Sequence, residues 1–265
     1  MTAILLLEKY QINDSITTIY PNNYINNGKV AYIQENTLIS IENLLEFLLI
    51  YSANDAAYIA ALAVSNSVDE FIELMNEKAK TLNMINTNYV NPDGIDDENH
   101  YTTLNDLLKL SIETINNKQL LSIFSKSNFL SDATGVEKIF NNTNLLLDEG
   151  YTGIKTGWTD KAGLTFIGFN QKNNRQIITI VNKSNVDENK YNHFSDTKIL
   201  YEISIDTFKN KILIDQDTNI YKIKNSYKTY NYKTKNIWQE FVNKNINKKL
   251  ELQKYEINSI SLKYD

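Results

Sequence analysis

Cysteine is absent from the 265 residues, which excludes a disulfide framework, a thiolate nucleophile and any Cys-based metal site. That absence suits an oxidising compartment without demonstrating one. Histidine occurs twice, as His100 and His193, which leaves little for a His-based metal site or catalytic triad. Proline is nearly missing, with 2 residues, while Asn, Lys, Ile and Tyr are used heavily; this bias points to an AT-rich genome more than to a function. Positive charge is not in excess. The formal charge is −5, so the net balance gives no reason to expect nucleic acid or an acidic membrane surface as a partner. No apolar run approaches the roughly 20 residues of a membrane span. The opening Met1-Thr2-Ala3-Ile4-Leu5-Leu6-Leu7-Glu8 is apolar but short, with no basic n-region and no small-residue cleavage site, so it does not read as a signal peptide. It reads instead as a chain entered in mid-helix.

What is present supports a folded core. The chain is 42% hydrophobic and 22% charged, with 17 Tyr and 10 Phe, a composition that argues against disorder. Thr2 to about Lys9 reads as a buried helix. Ser15 to Ile19 and Lys29 to Ile33 read as short strands or extended loop. Ser40 can N-cap a helix whose Leu44, Leu45, Leu48 and Leu49 recur at helical spacing. After Tyr51-Ser52-Ala53-Asn54-Asp55 comes a helix rich in Ala56, Ala57, Ala60, Ala61 and Ala63, residues small enough for close helix packing. Ser67 with Glu70 forms a capping box ahead of an amphipathic helix carrying Phe71, Leu74, Met75, Ala79 and Leu82.

Residues 83 to 102 read as loop, with a strong turn signal at Asn91-Pro92-Asp93-Gly94. The group Asp96, Asp97, Glu98 and His100 has no recognised metal-ligand spacing and is expected to be a solvated loop. Thr103 and Asp106 cap a helix through Ile115, and a short helix from Lys118 to Ser125 follows.

The pattern then turns to period two. Val136 to Phe140, Tyr151 to Thr156, Leu164 to Asn170 and Gln176 to Asn182 read as strands, the last two joined as a hairpin through Gln171-Lys172-Asn173-Asn174. Tyr191 to about Phe208 returns to helix. Residues 209–265 read as a β-rich tail in which Trp238, Phe241, Val242 and Ile246 form one amphipathic turn with a packed face. The expected class is α+β, a helical lobe beside an antiparallel sheet, with a main domain over residues 1–208.

Two short motifs carry the chemistry. Gly153-Ile154-Lys155-Thr156-Gly157-Trp158 puts a cation, a hydroxyl and a bare backbone position within three residues on an expected strand. Alone, Lys155-Thr156-Gly157 is most simply a strand end with a solvated Lys. About a hundred residues earlier, Ser52-x-Asn54 lies in the turn between two helices. Ser-x-x-Lys, Ser-Asp-Asn and Lys-Thr-Gly together mark penicillin-binding proteins and serine β-lactamases.

The flanking text resembles the D-alanyl-D-alanine carboxypeptidases of the low-molecular-mass penicillin-binding class, over residues 1 to about 208. The similar stretches include Ile41-Glu42-Asn43-Leu44-Leu45, Ser52-Ala53-Asn54-Asp55-Ala56-Ala57 and Met75-Asn76-Glu77-Lys78-Ala79. They also include Asn86 to Gly94, Glu98 to Thr103, Asn142-Thr143-Asn144-Leu145-Leu146, and Lys155 to Thr159 with Ala162-Gly163.

The resemblance implies a β-lactamase/DD-peptidase-like fold and a serine acyl-transfer enzyme acting on peptidoglycan stem peptides, with no cofactor and no metal. It implies that Ser52 passes protons between nucleophile, Lys and leaving amine, and that Asn54 holds the catalytic Lys and a substrate carbonyl. Lys155 and Thr156 would bind the terminal carboxylate of a peptidoglycan pentapeptide. Gly157 would let the substrate lie as an added strand, and the Trp158 N–H would be an oxyanion donor. It also implies an extracytoplasmic, membrane-associated location.

One departure is large. In the family, Ser-x-x-Lys opens the central helix just ahead of a Met-Thr-Ala run like Met1-Thr2-Ala3. The nucleophile, its Lys, the first sheet strands and the export signal are therefore expected to precede Met1, either cut off by a misassigned start or lost from the gene. Ser52 is expected to be a poor substitute nucleophile for want of an activating Lys, and β-lactam antibiotics are expected to react only where the missing Ser is present. Three further readings stand beside this one, the last being a structural domain in which the motifs occur by chance. The first is an inactive penicillin-binding-like module that only binds D-Ala-D-Ala peptides. The second is a β-lactamase, against which Ala53 and the lack of a matching deacylating Glu motif both count.

Overall fold

Helix α1 (Thr2–Lys9) buries Thr2, Ala3, Ile4, Leu5 and Leu6, as its nearly continuous apolar sequence requires. In this computed structural model the described residues are 1–172, 175–186, 191–214, 219–224, 229–233 and 238–243. They divide into two compact units, residues 1–201 and 202–265.

In the first unit, β1 (Ser15–Thr17) pairs antiparallel with β2 (Leu38–Ser40). The expected extended stretch at residues 29–33 forms no strand. Its Ala31 and Ile33 N–H groups donate instead to the two carboxylate oxygens of Asp55, each at 3.0 Å. Ser40 caps α2 (Ile41–Glu46) by accepting from the Asn43 N–H at 3.1 Å. The helix then widens into a π-helical turn over Phe47–Tyr51 and stops at Ser52. Helix α3 (Asn54–Val64) follows, its buried Ala56, Ala57, Ala60 and Ala61 letting it lie close against α1.

The Ser67 hydroxyl caps α4 (Val68–Thr81) through the Glu70 N–H, but the capping box closes one residue earlier than the sequence implies. The Glu70 carboxylate reaches the backbone and side-chain N–H groups of Asn66, each at 3.0 Å. Replacing Ser67 with Ala is expected to cost about 1 kcal/mol in a urea titration, and Ser67→Asn to recover most of it.

Thr103 caps α5 (Leu104–Asn116), and the Asn117 side chain caps α6 (Lys118–Phe124) through two N–H groups, a cap not recognised from sequence. The next hairpin joins β3 (Asn128–Ser131) to β4 (Lys138–Asn141). Only the second of these is expected from sequence, because Asn128-Phe-Leu-Ser131 is too short to show an alternation. The hairpin's Phe129 and Phe140 stack on each other, and both set an edge against Phe47, with centroids 4.9 and 4.8 Å away. This cluster fixes the π-helical turn to the core.

The main sheet has the order β5 (Tyr151–Thr159), β6 (Gly163–Lys172) and β7 (Arg175–Ser184), all antiparallel. Lys172 pairs with Arg175, so the β6–β7 hairpin is tighter than the sequence suggests. Among the described residues β5 is paired on one edge only. Helix α7 (Asn192–Thr207) closes the first unit and enters the second.

In the second unit β8 (Phe208–Ile214) pairs with β11 (Trp238–Asn243), and β9 (Asn219–Lys224) with β10 (Thr229–Lys233). The expected helical turn at 238–246 is thus corrected. Trp238, Phe241 and Val242 lie on strand β11, and Ile246 falls outside the described residues. A spacing of three and four over so few residues does not separate a helix from a strand.

Candidate functional site

The two motifs meet across a cleft in the first unit. Phe47, Leu49 and Ile50 are buried, so the π-helical turn is anchored, and the chain leaves it through Ser52 at φ 67° and ψ 45°. That left-handed conformation is costly for a residue with a side chain and recurs at functional corners. It turns the chain sharply enough for α3 to begin two residues later at Asn54.

From the other side, β5 presents Lys155. Its Nζ donates to Ser52 Oγ at 2.7 Å and to the Thr156 carbonyl at 3.0 Å. Burial, aided by the charge of Lys29, pulls the Lys155 ammonium down to about 7. A substantial neutral fraction therefore exists near neutral pH, with its nitrogen already on a hydroxyl. The motif spacing gives no hint of this pairing, which supplies Ser52 with a lysine neighbour from across the cleft.

A cavity of about 520 Å³ opens beside this pair, lined among others by Ser52, Asn54, Tyr89, His100, Lys155 and Ile167. Of the expected site residues, Ser52, Asn54 and Lys155 face it, whereas Thr156, Gly157 and Trp158 do not line it. The Thr156 hydroxyl bonds Thr143 Oγ1 at 2.7 Å, and the Thr143 N–H donates to the Ile50 carbonyl at 3.1 Å. That chain ties the strand to the turn that carries Ser52. A Cβ at Gly157 would meet Thr165 Oγ1 at 2.6 Å, so a side chain there would displace the hydroxyl that donates to the Gly157 carbonyl. Trp158 is 62% exposed.

Asn54 uses its side chain and backbone on a neighbouring segment. Its Nδ2 donates to the Asn27 carbonyl at 2.9 Å, and its backbone N–H to the Lys29 carbonyl at 2.7 Å. The segment 27–29 is thereby clipped to the start of α3, and sequence reasoning assigns it no place at the site. A Cβ at Gly28 would meet Asn54 Nδ2 at 2.6 Å, so only glycine admits so close a crossing.

The far wall is the loop after Pro92. Asp96 is held against the end of β5, accepting from Thr159 Oγ1 at 2.7 Å and from the Lys161 N–H at 3.0 Å. These bonds, the Thr159 one first, keep its carboxyl below the usual range. His100 stands edge-on to Tyr89 at 5.5 Å, and its desolvation lowers its pKa.

A helical lobe beside an antiparallel sheet, with a serine corner facing a strand lysine, is the architecture of the penicillin-binding serine peptidases. The chain belongs to the D-alanyl-D-alanine carboxypeptidase family, peptidase S11, whose sequence profile matches residues 1–185. It is 28% identical over 189 residues to the D-alanyl-D-alanine carboxypeptidase DacF of Bacillus subtilis (strain 168), covering 68% of this chain and 48% of the relative. It is 30% identical over 209 residues to the D-alanyl-D-alanine endopeptidase of Escherichia coli (strain K12), covering 76% of this chain and 65% of the relative.

Among solved structures, it superposes with a TM-score of 0.65 on penicillin-binding protein D2 from Listeria monocytogenes in its cefotaxime-bound form. That pair is 28% identical, over 76% of this chain and 83% of the other. The fold also matches a peptidoglycan synthesis regulatory factor from Streptococcus pneumoniae, with a TM-score of 0.77 at 23% identity, over 92% and 77% of the two chains. The chain spans about half the length of the DacF carboxypeptidase it matches. No helix among the described residues is long and apolar enough to cross a membrane.

Proposed function

We propose that this chain holds D-Ala-D-Ala-terminated peptidoglycan stem peptides in the cleft between Ser52 and Lys155, as part of a serine-type carboxypeptidase site outside the cytoplasm. The observation that carries this is the 2.7 Å contact of Lys155 Nζ with Ser52 Oγ at the head of a cavity large enough for a dipeptide terminus. In this reading Lys155 takes the terminal carboxylate as a cation, and the Thr156 hydroxyl adds a second contact to that anion when it turns away from Thr143 Oγ1. The unpaired edge of β5 takes the peptide backbone as an added strand, with Gly157 there and the Trp158 N–H donating to the scissile carbonyl. Asn54, at the start of α3, contacts a substrate carbonyl, and Ser52 relays protons to the leaving amine through Lys155.

Acyl transfer also needs a nucleophile beside a base. The single Ser-x-x-Lys of these 265 residues is Ser195 to Lys198, on α7 and away from the cavity lining. The acylation step is therefore assigned to none of these residues: by themselves they bind the peptide without forming a covalent intermediate, and the relay role of Ser52 operates where a nucleophile and its base complete the site. The test has two arms. Calorimetric titration with N-acetyl-Lys-D-Ala-D-Ala is expected to show saturable binding that an amidated C-terminus abolishes. A fluorescent penicillin is expected to leave no covalent adduct by intact mass. Failure of the peptide to bind would refute the proposal, and a penicilloyl adduct mapped to Ser52 would replace the relay role by a nucleophilic one.

A further inference from the structure

Lys29 has no part in the chemistry described so far and does not line the cavity, yet two contacts place it beside the site. The segment that carries it is clipped to Asn54 through the carbonyls of Asn27 and Lys29. Its Nζ stands 4.0 Å from the ring centroid of Tyr51, the residue before Ser52. Its charge also reaches Lys155 and disfavours the ammonium there. The Lys29 ammonium is itself held below its usual range by desolvation.

Among the described residues no carboxylate lies within ion-pair distance of Lys29 or Lys155, although Lys78, Lys109, Lys126 and Lys198 are all paired. The nearest acids in the cavity wall are otherwise engaged. Asp96 spends both oxygens on Thr159 and Lys161, and burial moves Asp93 towards its neutral form. Where both lysines are protonated, like charge without a counter-ion raises the free energy of the empty site, chiefly at buried Lys155 because Lys29 is exposed, and a bound anion lowers that cost. One terminal carboxylate answers one of them.

We propose that Lys29 is a second anion-reading group, and that the cleft prefers peptides bearing a further carboxylate on the residue preceding the D-Ala pair. This rests on the reading of Lys155 as the anchor of the terminal carboxylate. The third residue from the C-terminus lies about 7 Å of extended chain from the terminal one, a gap that the flexible stem of Lys29 can span. The Tyr51 ring holds the Lys29 ammonium beside the residue that precedes Ser52, next to the cavity lining rather than within it.

Two nearly isosteric probes test it: N-acetyl-Glu-D-Ala-D-Ala and N-acetyl-Gln-D-Ala-D-Ala, titrated calorimetrically at low and at high salt. The Glu peptide is expected to bind about threefold to tenfold more tightly at low salt, with the ratio shrinking as salt is added. Lys29→Met is expected to bring the ratio to about one, Lys29→Glu to invert it, and Lys29→Arg to keep it. Lys29 is exposed, so these variants leave the core untouched. Equal binding of the two probes by the unmodified chain would overturn the inference while leaving the proposed function intact. A preference that survives in Lys29→Met would also overturn it. Failure of both probes to bind would instead strike at the proposed function itself.

Discussion

Replacing Asp55 with Ala is expected to lower the folding free energy by about 3–5 kcal/mol, a large share of the roughly 5–15 kcal/mol that a domain possesses. Asp55 is fully buried, with 0% exposure. Its two oxygens receive the N–H groups of Ala31 and Ile33, and it also accepts from the Ala56 N–H at 3.2 Å. Ala31 and Ile33 are themselves 2% and 3% exposed, so neither N–H can turn to water when the carboxylate goes. Each unsatisfied donor costs about 1–3 kcal/mol, and a favourable charge in the first turn of α3 is lost as well.

Asp55→Asn keeps one acceptor but sets an NH2 group against the other N–H, so about half of the loss is expected. Urea titration of the two variants beside the parent chain decides it; a loss below about 1 kcal/mol for Asp55→Ala would show that Asp55 does not pin residues 29–33. The segment so pinned carries Lys29. The Glu-over-Gln preference expected above should therefore weaken in Asp55→Asn even though Asp55 lines no part of the cavity.

Lys155→Met is expected to weaken binding of N-acetyl-Lys-D-Ala-D-Ala by about 10-fold to 100-fold, the range of a charge-assisted contact to a carboxylate. Folding should not suffer. A lysine whose folded pKa lies near 7 and whose unfolded value is 10.5 binds fewer protons folded than unfolded between those limits. Stability therefore rises with pH across that window and is lowest below it, where burial of the charge is fully felt. Met removes that dependence and is expected to be at least as stable at pH 6.

Ligand binding runs the opposite way, because only the ammonium attracts a carboxylate. Affinity is expected to fall as pH rises above 7, with the midpoint displaced upward in the complex because the bound anion favours the charged form. Lys155→Arg provides the diagnostic. A guanidinium keeps its proton throughout, so its binding should be flat with pH. An unchanged affinity in Lys155→Met, or a pH dependence that persists in Lys155→Arg, would remove Lys155 from carboxylate recognition.

Local signals in the chain were legible where they act over a few residues. The caps at Ser40, Ser67 and Thr103 bond the N–H groups three residues on, as side chains of that kind do when a helix starts. The period-two stretches became β5, β6 and β7 because alternate residues face opposite sides of a sheet. The segment 29–33, open between short strand and extended loop, and the turn at 238–246, expected to be helical, were not decided locally for a shared reason. A few residues carry too little periodicity to name a structure, and their conformation is set by a distant partner, Asp55 for the first and β8 for the second.

By itself, then, the sequence determined the α+β class, the family, and the two short motifs that hold Ser52, Asn54 and Lys155. These follow from residue type and spacing along the chain. Only the tertiary structure decided that Lys155 stands on Ser52, that Asn54 clips residues 27–29, and that Lys29 stands on Tyr51 beside the cleft with no ion-pair partner among the described residues. Those contacts link residues 103, 27 and 22 positions apart, and for pairs 103 or 22 residues apart no local propensity encodes their meeting. They arise because the core around Phe47, Phe129 and Phe140 packs in one way, and the desolvation that lowers the Lys155 pKa exists only once that packing is complete.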